Sequence, residues 1–515
     1  MNLYASIDAV AADRGSAPAW VVPGRGTWTY QDLRSGAARF AAALRERGVV
    51  AGDRVLMQVE KSPEALLLYL ACLRSGAVLV PLNTAYTAAE VAHFVADAMP
   101  RLIVADPARR AALEGIAAVH DGMRVTTLDG GGGGEFSAQA GASANEAAAR
   151  VEPRNDDDLA AIVYTSGTTG RSKGAMLSHR NLRANAEALV RLWAFTAEDR
   201  LLHALPIYHV HGLFVATHCA LLSGASCWLL PRFDVDTALQ YLPQSTTFMG
   251  VPTYYTRLLA DPRFGREQVH HLRLLICGSA PLLVPTFEAF FQRTGHRILE
   301  RYGMSEAGMI TSNPLAGQRI AGSVGFPLPG VSARVADETG CEVARGTAGV
   351  LEIRGPNVFC GYWRQSERSA TEFRADGFFI TGDVAIMDES GRVSIVGRVK
   401  DLIISGGFNI YPKEIELEID ALEGVAESAV VGVPHPDFGE AVIAVVVTTR
   451  ADGPSEADIL AALAPRLARF KQPKRVIFVA ELPRNPMGKV QKSRLREMHA
   501  SAFQSPTRGR PSHEV

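Results

Sequence analysis

The sequence has few cysteines and no excess of charge of one sign. Its 53 basic and 54 acidic side chains nearly cancel, so the overall charge attracts neither nucleic acid nor an anionic membrane. The six cysteines are scattered and include no C-x-x-C pair, which indicates reduced core thiols in a reducing compartment. Any ligand must therefore be recognised by a local site.

Long hydrophobic runs are also absent, and no stretch reaches the length of a membrane span. The N-terminal segment carries Asp8 and Asp13 and has no basic region followed by an apolar one, so we expect a cytoplasmic protein that does not contact membranes. With 47% apolar residues, the chain is too hydrophobic to be largely disordered, and its 515 residues predict two or more domains.

Strand and helix patterns alternate in the first part of the chain. Short apolar runs at 53–57, 76–81 and 101–105 are separated by helix-like stretches at Pro63–Arg74 and Ala88–Ala98. This rhythm predicts an α/β fold with doubly wound parallel sheets. It returns in LAAIVYTS, SCWLLP, TTFMGVP and RLLICGS, which end in small or polar residues, where an open α/β sheet usually places its ligands.

The pattern changes after about Ser332. Shorter alternating segments predict a β-rich subdomain, and the unit after Lys400 shows a helix, two paired strands and a second helix that ends at Leu467. The glycine run at 130–134 and the Ala/Ser-rich stretch after it predict a flexible surface connection. We predict a large N-terminal domain at 1–399, a small mobile α+β C-terminal domain at 400–500 and a disordered tail at 501–515.

Residues Thr165 to Gly174 read TSGTTGRSKG directly after a strand candidate. Glycines bring backbone N–H groups close to phosphate oxygens, while hydroxyls and the Lys173 ammonium add further donors. The Walker spacing G-x-x-x-x-G-K-[ST] is not met, because Lys173 is followed by Gly174. The string therefore predicts a nucleotide-phosphate loop of another type; the alternative is a flexible Ser/Thr/Gly turn.

The rest of the chain carries six further strings, in the order LPIYHVHGL, GSAPL, ERYGMSE, FFITGDVA, GRVKDLIISGGFNIYPKEIE and PRNPMGKVQK. With the phosphate loop they resemble the motifs of the adenylate-forming superfamily, which includes acyl-CoA synthetases, firefly luciferase and the adenylation domains of peptide synthetases. The wording around them is most similar to malonyl-CoA synthetases. The resemblance covers nearly the whole chain and implies that ATP activates a small carboxylic acid as an acyl-adenylate, which then passes to coenzyme A.

The resemblance also implies where ATP binds. Tyr302 matches the aromatic residue that packs on adenine, Asp383 the carboxylate that accepts both ribose hydroxyls, and Arg398 a second ribose contact. The full implied set is Thr165, Ser166, Gly167, Thr168, Thr169, Gly170, Lys173, Gly278, Ser279, Ala280, Tyr302, Gly303, Asp383 and Arg398.

Adenylation brings a carboxylate to the α-phosphate, so a metal ion and a lysine are needed to offset two anions. The resemblance implies that Glu306 holds Mg²⁺ together with Thr165, and that Ser305 contacts the α-phosphate. It implies that Lys489 bridges the attacking carboxylate and the α-phosphate. His209 and His211 are implied to be gate residues that face the acyl pocket, with His209 also catalytic. Two histidines at i, i+2 could instead form a metal site, but no other ligand cluster accompanies them.

The second step depends, by resemblance, on rotation of the C-terminal domain about a hinge at Lys400 and Asp401. Relatives use one orientation for adenylation and another for thioester formation. In the second orientation Gly406, Gly407 and Phe408 would line the tunnel for coenzyme A. The sequence shows no fused carrier domain.

Two arginines suggest which acid is activated. Arg257 and Arg301 match the pair that holds the distal carboxylate in malonyl-CoA synthetases, with Ser279 and His209 beside them. Guanidinium groups suit a carboxylate through their fork geometry, so malonate is the predicted acid. The alternatives are a ligase for another acid (a short dicarboxylic acid such as oxalate, a short monocarboxylic acid or an aryl acid), a module that loads a carrier protein, and a non-catalytic nucleotide-binding protein.

Overall fold

The computed structural model describes residues 1–142, 150–165, 172–405, 408–450, 453–485 and 488–503. Its strands are β1 (Pro18–Val22), β2 (Gly26–Thr29), β3 (Arg54–Gln58), β4 (Val78–Pro81), β5 (Leu102–Ala105), β6 (Arg124–Thr127), β7 (Leu159–Thr165), β8 (Lys173–Ser178), β9 (Arg200–His203), β10 (Ser226–Leu229), β11 (Thr247–Gly250), β12 (Leu274–Cys277), β13 (Leu299–Met304), β14 (Gly308–Ser312), β15 (Phe326–Pro327), β16 (Ser332–Ala336), β17 (Ala348–Arg354), β18 (Phe379–Met387), β19 (Val393–Arg398), β20 (Ile403–Ser405), β21 (Phe408–Ile410), β22 (Val425–His435), β23 (Gly439–Thr448) and β24 (Arg475–Phe478).

The α-helices are α1 (Leu3–Arg14), α2 (Tyr30–Glu46), α3 (Pro63–Ser75), α4 (Ala88–Ala98), α5 (Arg110–Ala117), α6 (Glu135–Ala142), α7 (His179–Leu192), α8 (Thr217–Ser223), α9 (Val235–Tyr241), α10 (Pro252–Ala260), α11 (Arg266–Val269), α12 (Val284–Thr294), α13 (Ser366–Thr371), α14 (Pro412–Asp420), α15 (Glu456–Leu463) and α16 (Lys492–Met498). Short 3₁₀ turns occur at Pro107–Arg109, Leu242–Gln244 and Val399–Asp401, and a π-helix at His211–Ala216 leads into α8.

Two sheets form the N-terminal region, as the alternating pattern predicts. One has the order β6-β5-β3-β4-β7-β8, and the other β15-β14-β13-β12-β11-β9-β10-β1-β2. Their inner strands run parallel, so β9, β11 and β12 end at the same edge. The segments that follow these strands begin with Ala204, Val251 and Gly278, and they carry predicted site residues.

Local sequence explains the helices that pack on these sheets. Ser62 caps α3, Pro63 occupies its first turn, and Gly76 ends it in the left-handed conformation. All but one of the side chains of α3 are buried, since the helix is apolar on nearly every face. Helix α4 spans the predicted residues because Thr87 and Glu90 form a capping box at its start.

The predicted β-rich subdomain is an antiparallel sheet in the order β16-β17-β18-β19. The C-terminal unit follows with β21-β20-β23-β22, to which β24 adds in parallel. It has its own hydrophobic core, built around residues such as Ile415, Val430 and Ile459. Helix α15 ends at Leu463 rather than at the predicted Leu467, because Pro465 disfavours helical continuation.

The segment predicted as a flexible connection contains a helix. After the glycines, α6 buries Phe136, whose ring lies 5.2 Å from that of Phe40 on α2. One aromatic residue is enough to anchor the segment, so the prediction was wrong for the part of it that forms α6. In the predicted tail, Ala502 and Phe503 pack against the C-terminal unit.

The cysteines are all free, and four of them are buried, in agreement with the prediction of core thiols. Within the described residues, no helix combines the length and apolar character that a membrane crossing requires.

Candidate active site

Two antiparallel strands flank the phosphate loop. Thr165 ends β7 and pairs with Lys173 at the start of β8. The Lys173 ammonium is buried, 2.8 Å from Glu372 Oε1 and 4.5 Å from the centre of the Tyr362 ring. An internal carboxylate and an aromatic face therefore fix this lysine beside the loop. The remaining predicted loop residues lie outside the described residues: Ser166, Gly167, Thr168, Thr169 and Gly170.

Glu306 lies buried in the turn between β13 and β14, directly after the half-buried Ser305. Its Oε1 accepts hydrogen bonds from Thr165 Oγ1 at 3.4 Å and from the Tyr362 hydroxyl at 3.2 Å. Burial raises the pKa of this carboxyl group, since the surroundings do not fully offset the loss of water. A cation bound here would stabilise the ionised carboxylate and lower its pKa again.

Glu306 and Thr165 fit the predicted Mg²⁺ site, because carboxylate and hydroxyl oxygens are the hard ligands that this ion takes. The described parts of the chain contain no group of three or more His, Cys, Asp or Glu side chains that could hold a metal ion. The other ligands would therefore be phosphate oxygens and water, which is the usual arrangement for Mg²⁺ at a nucleotide.

Asp383 is held from two sides. Strands β18 and β19 place it opposite Arg398, whose Nε lies 2.9 Å from Asp383 Oδ1. The Tyr302 hydroxyl donates to the other oxygen, Oδ2. The carboxylate raises the pKa of Arg398. The structure thus brings together three residues that the sequence predicts at adenine and ribose.

The turn after β12 has an unusual backbone. Ser279 has a positive φ of 70°, a conformation that costs energy in a residue with a side chain and often marks a functional site. Gly278 before it has no room for a side chain, and Ala280 after it is half-buried. On β13, a Cβ at Gly303 would lie 2.2 Å from Gly308 O, so only glycine permits the tight turn that presents Ser305 and Glu306.

Lys489 reaches this region from the C-terminal unit. Its pKa is lowered to about 8, first by burial and then by Arg398, while Asp383 and Glu306 oppose that change. The ammonium group is therefore close enough to the predicted ribose and metal residues to respond to their charges. Asn485 N–H donates to Lys489 O at 2.9 Å. The structure shows the orientation in which Lys489 faces the N-terminal domain.

The Arg301 guanidinium is buried, with 3% of the residue exposed. It lies across Gly278, where an added Cβ would be 2.4 Å from Nη1. Within the described residues, its Nε and Nη2 have no hydrogen-bond partner. Burial lowers the pKa of Arg301 to about 10, which leaves the group charged at neutral pH. Buried N–H groups rarely lack an acceptor, so this arginine has the character of an anion site.

His211 adds a third donor near Arg301. Ser279 Oγ lies 3.2 Å from His211 Nδ1, and Nε2 is buried without a partner in the described part of the chain. Burial, together with Arg301, holds the pKa of His211 well below its usual value, so the ring is neutral. When Ser279 donates to Nδ1, the proton of the ring is on Nε2.

His209 is also neutral, because burial and then Lys489 lower its pKa to about 3. Its Nδ1 accepts the backbone N–H of His211 at 3.3 Å, which places the ring proton on Nε2. His209 is therefore close enough to both Lys489 and Arg301 for their charges to lower its pKa. Its catalytic role stays a prediction.

Arg257 has a different environment from Arg301. It lies exposed in the last turn of α10, whose buried residues are Tyr255 and Leu258. The two arginines that the sequence predicts as a pair are thus not equally placed to meet a carboxylate. A role of Arg257 in acid binding stays a prediction.

The predicted hinge is a 3₁₀ turn at Val399–Asp401. Lys400 is exposed, and Asp401 Oδ1 lies 2.7 Å from Arg496 Nη2 on α16. Of the predicted coenzyme A residues, Gly406 and Gly407 lie outside the described residues. Phe408 is half exposed and stacks on Phe470 at 4.5 Å.

Sequence reasoning missed Tyr362 and Glu372. These residues connect Lys173 to Glu306 through an ion pair, a ring contact and a hydrogen bond. Both lie about 200 residues from the loop in sequence, and no spacing rule points to them. A bridge between Ala175 and Tyr362, together with a hydrogen bond from Trp363 N–H to Gly174 O, brings this segment to the phosphate loop.

Comparison with known proteins places these features in context. The family model "AMP-binding enzyme" matches residues 7–363, and "AMP-binding enzyme C-terminal domain" matches residues 414–489. The mitochondrial malonate–CoA ligase ACSF3 of Mus musculus is 35% identical over 512 residues, which cover 91% of this chain and 86% of the relative. The chain is therefore similar to that enzyme along nearly its full length.

Two solved structures of MatB from Rhodopseudomonas palustris also resemble the chain. The ATP-bound form has 53% identity and a TM-score of 0.94, and the match covers 98% of this chain and 100% of MatB. The apo form has 52% identity and a TM-score of 0.85, with 98% and 99% covered. The score is thus higher for the ATP-bound form than for the apo form.

Proposed function

Since the chain belongs to the AMP-binding enzyme family, we propose that it is an ATP-dependent ligase that joins malonate to coenzyme A through a malonyl-adenylate. One carboxylate oxygen attacks the α-phosphorus and pyrophosphate leaves. The thiol sulfur of coenzyme A then attacks the acyl carbon, releasing AMP and the thiol proton. Methylmalonate is a second substrate consistent with the same site.

The observation that supports malonate is Arg301, whose buried Nε and Nη2 have no acceptor among the residues that the structure describes. An unpaired buried charge costs several kcal/mol, and a second carboxylate on the acid would remove that cost by accepting both N–H groups. A monocarboxylate would leave them unpaired. Sites built around buried polar partners reject analogues that lack the partner, by factors of about 10⁴ or more in favourable cases.

His211 supports the same substrate. Its neutral ring offers a donor at Nε2, which helps to bind a carboxylate without adding a second buried charge. The combination of one cation and one neutral donor suits a single anionic group. His211 lies in the connection after β9, and Arg301 lies on β13 beside the end of β12 in the same sheet, at the edge where α/β proteins bind ligands.

The first step uses residues that surround Lys489. Its charge would offset the repulsion between the acid and the α-phosphate. Mg²⁺ held by Glu306 and Thr165 would supply further positive charge at the phosphates. Asp383 and Arg398 would hold the ribose, and Lys173 would exchange Glu372 for phosphate oxygens.

The remaining sequence expectations belong to this proposal. Coenzyme A as acceptor is supported by the relatives. Of the residues predicted to contact it, Phe408 lies within the described part of the chain. We retain the domain division at 399/400 and the hinge at Lys400 and Asp401. A cytoplasmic location and the absence of nucleic-acid, membrane and fused carrier partners also stay predictions.

The test is acid-dependent exchange of pyrophosphate into ATP, measured with malonate, methylmalonate, oxalate, acetate and an aryl acid. We expect malonate to give the highest kcat/KM. Arg301→Met should lower that value by about 100-fold or more, since breaking a buried charge pair costs 2–5 kcal/mol, and should leave acetate no worse. Arg257→Ala should have a smaller effect, because that side chain is exposed.

A matched control is Arg319→Met. Arg319 is a half-buried arginine whose guanidinium donates to the carbonyls of Pro314, Leu315 and Arg297, so it serves structure alone. A wild-type enzyme that prefers acetate or an aryl acid would refute malonate as the substrate. Equal losses in Arg301→Met and Arg319→Met would refute the role of Arg301.

A further inference from the structure

Lys61 is a buried lysine in the connection between β3 and α3. The residue is 6% exposed. Its Nζ lies 2.7 Å from His203 O, 3.0 Å from Leu205 O and 2.9 Å from His203 Nδ1. Within the described residues it forms no ion pair. Burial holds its pKa well below the usual value.

The three contacts account for all three protons of an ammonium group. His203 Nε2 lies 3.1 Å from Gly212 O, and a carbonyl can only accept, so the ring proton is on Nε2 and Nδ1 accepts from Lys61. Each hydrogen bond of Lys61 is therefore charge-assisted and directed at a neutral acceptor. Burying a cation with only neutral partners costs folding free energy, so packing alone does not explain a lysine at this position.

These contacts secure both ends of one segment. Lys61 binds the carbonyls of His203 and Leu205 where the segment leaves β9. Through His203, it also holds Gly212 O at the start of the π-helix. His209 and His211, which border the proposed acid site, lie between these two points.

The segment has little space in which to move. A Cβ at Gly212 would lie 2.0 Å from Pro206 O, so the two ends of the segment touch. Thr217 Oγ1 also donates to Gly212 O at 2.9 Å. A change in the position of His203 would therefore be passed to the backbone that carries His211.

We infer that Lys61 is a positioning residue for acid recognition, which holds the segment 204–212 so that His209 and His211 face the acid. The inference rests on the proposed function for its kinetic consequence. Small displacements of binding groups are costly, since about 1 Å can reduce a rate by 10²-fold. The effect should fall on the acid and not on ATP, because none of the predicted ATP-binding residues that the structure describes forms a hydrogen bond with Lys61.

The first experiment is steady-state kinetics of Lys61→Met, which keeps the length and apolar stem of the side chain. We expect the KM for malonate to rise by about 10-fold or more and the KM for ATP to change by less than about 2-fold. Arg74→Met is the matched control, because Arg74 is also 6% exposed and lies at the opposite end of α3. It should lower thermal stability without separating the two KM values.

The second experiment does not depend on the substrate. Hydrogen exchange of the free enzyme, followed by mass spectrometry, should show faster exchange in peptides covering 204–213 of Lys61→Met and no change there in Arg74→Met. If Lys61→Met does not fold, His203→Phe supplies the same two tests, because it removes the relay to Gly212 and leaves Lys61 its two carbonyls.

The possible failures are distinguishable. A wild-type enzyme that does not use malonate would overturn the proposed function, while the exchange result would still decide the role of Lys61 in holding the segment. The inference alone would be overturned if the wild type uses malonate but Lys61→Met leaves the KM values for malonate and ATP unchanged or raises both equally. Unchanged exchange in peptides 204–213 would overturn it as well.

Discussion

In the proposed first step Lys489 must be positively charged to bridge two anions, yet burial and Arg398 lower its pKa to about 8. The lysine is protonated below that pH and loses its charge above it. We therefore expect kcat/KM for adenylation, which reports the free enzyme, to fall as the pH rises through about 8. The measurement is pyrophosphate exchange from pH 6 to 10.

The control for this prediction is Lys489→Arg. Arginine stays protonated over the whole range, so any remaining activity should lack the fall above pH 8. If the fall occurs at the same pH in Lys489→Arg, another group causes it and the assignment to Lys489 is wrong.

The environment of single residues was the hardest feature to obtain from sequence. Motifs identified Arg257 and Arg301, but not that one is exposed and the other buried. For Arg257 the helical period gives a clue, since Tyr255 and Leu258 face the core and the residue between them must point elsewhere. For Arg301 there is no such clue, because several distant segments together determine whether a hydrogen-bond acceptor lies near its guanidinium group.

At the scale of elements, the loop that presents Lys489 depends on Gly488. Its φ is +76°, and an added Cβ would lie 3.2 Å from Thr253 Cγ2 on α10. A side chain in this conformation costs about 1–2 kcal/mol, and the loop would have to move away from α10. We expect Gly488→Ala to reduce pyrophosphate exchange by about 10-fold or more, with little change in the melting temperature.

Gly391→Ala is the matched control for Gly488. Gly391 has a φ of +85° in the turn between β18 and β19, and an added Cβ would meet nothing within 4 Å. It carries the same backbone strain without contact to the site, so it should leave exchange unchanged. Similar activity in both variants would show that the position of the Gly488 loop does not limit adenylation.

Elements with a strong local signal were predicted well. The capping box of α4 and the cap and proline of α3 define those helices in the sequence itself. Helix α6 was missed because its stability comes from the contact of Phe136 with Phe40, which is not local. The π-helix at His211–Ala216 also depends on tertiary contacts, including those of Gly212.

At the scale of the whole molecule, the structure shows one of two expected domain orientations. Lys489 lies near Asp383 and Glu306, and the chain matches ATP-bound MatB better than the apo form. In the proposed reaction, this orientation serves adenylation. If this orientation is productive for adenylation alone, thioester formation requires the C-terminal domain to rotate about the turn Val399–Asp401.

Val399→Pro tests this rotation. Val399 is exposed and is the first residue of the 3₁₀ turn, where proline is tolerated. Arg398 before it is extended, with φ −125° and ψ 143°, which is the conformation that a following proline favours. The variant should therefore fold as shown and resist rotation. We expect malonate-dependent pyrophosphate exchange within about 2-fold of wild type and AMP formation with coenzyme A reduced by about 10-fold or more.

The decisive quantity is the ratio of these two rates in one preparation. A loss of both rates would mean that the proline disturbs the adenylation orientation itself, contrary to the backbone geometry of Arg398. Two unchanged rates would show that the domain turns beyond residue 399, without a change at Val399. Only a selective loss of the coenzyme A step ties the second reaction to movement of this turn, because the acid, ATP and Lys489 are then still correctly placed for the first.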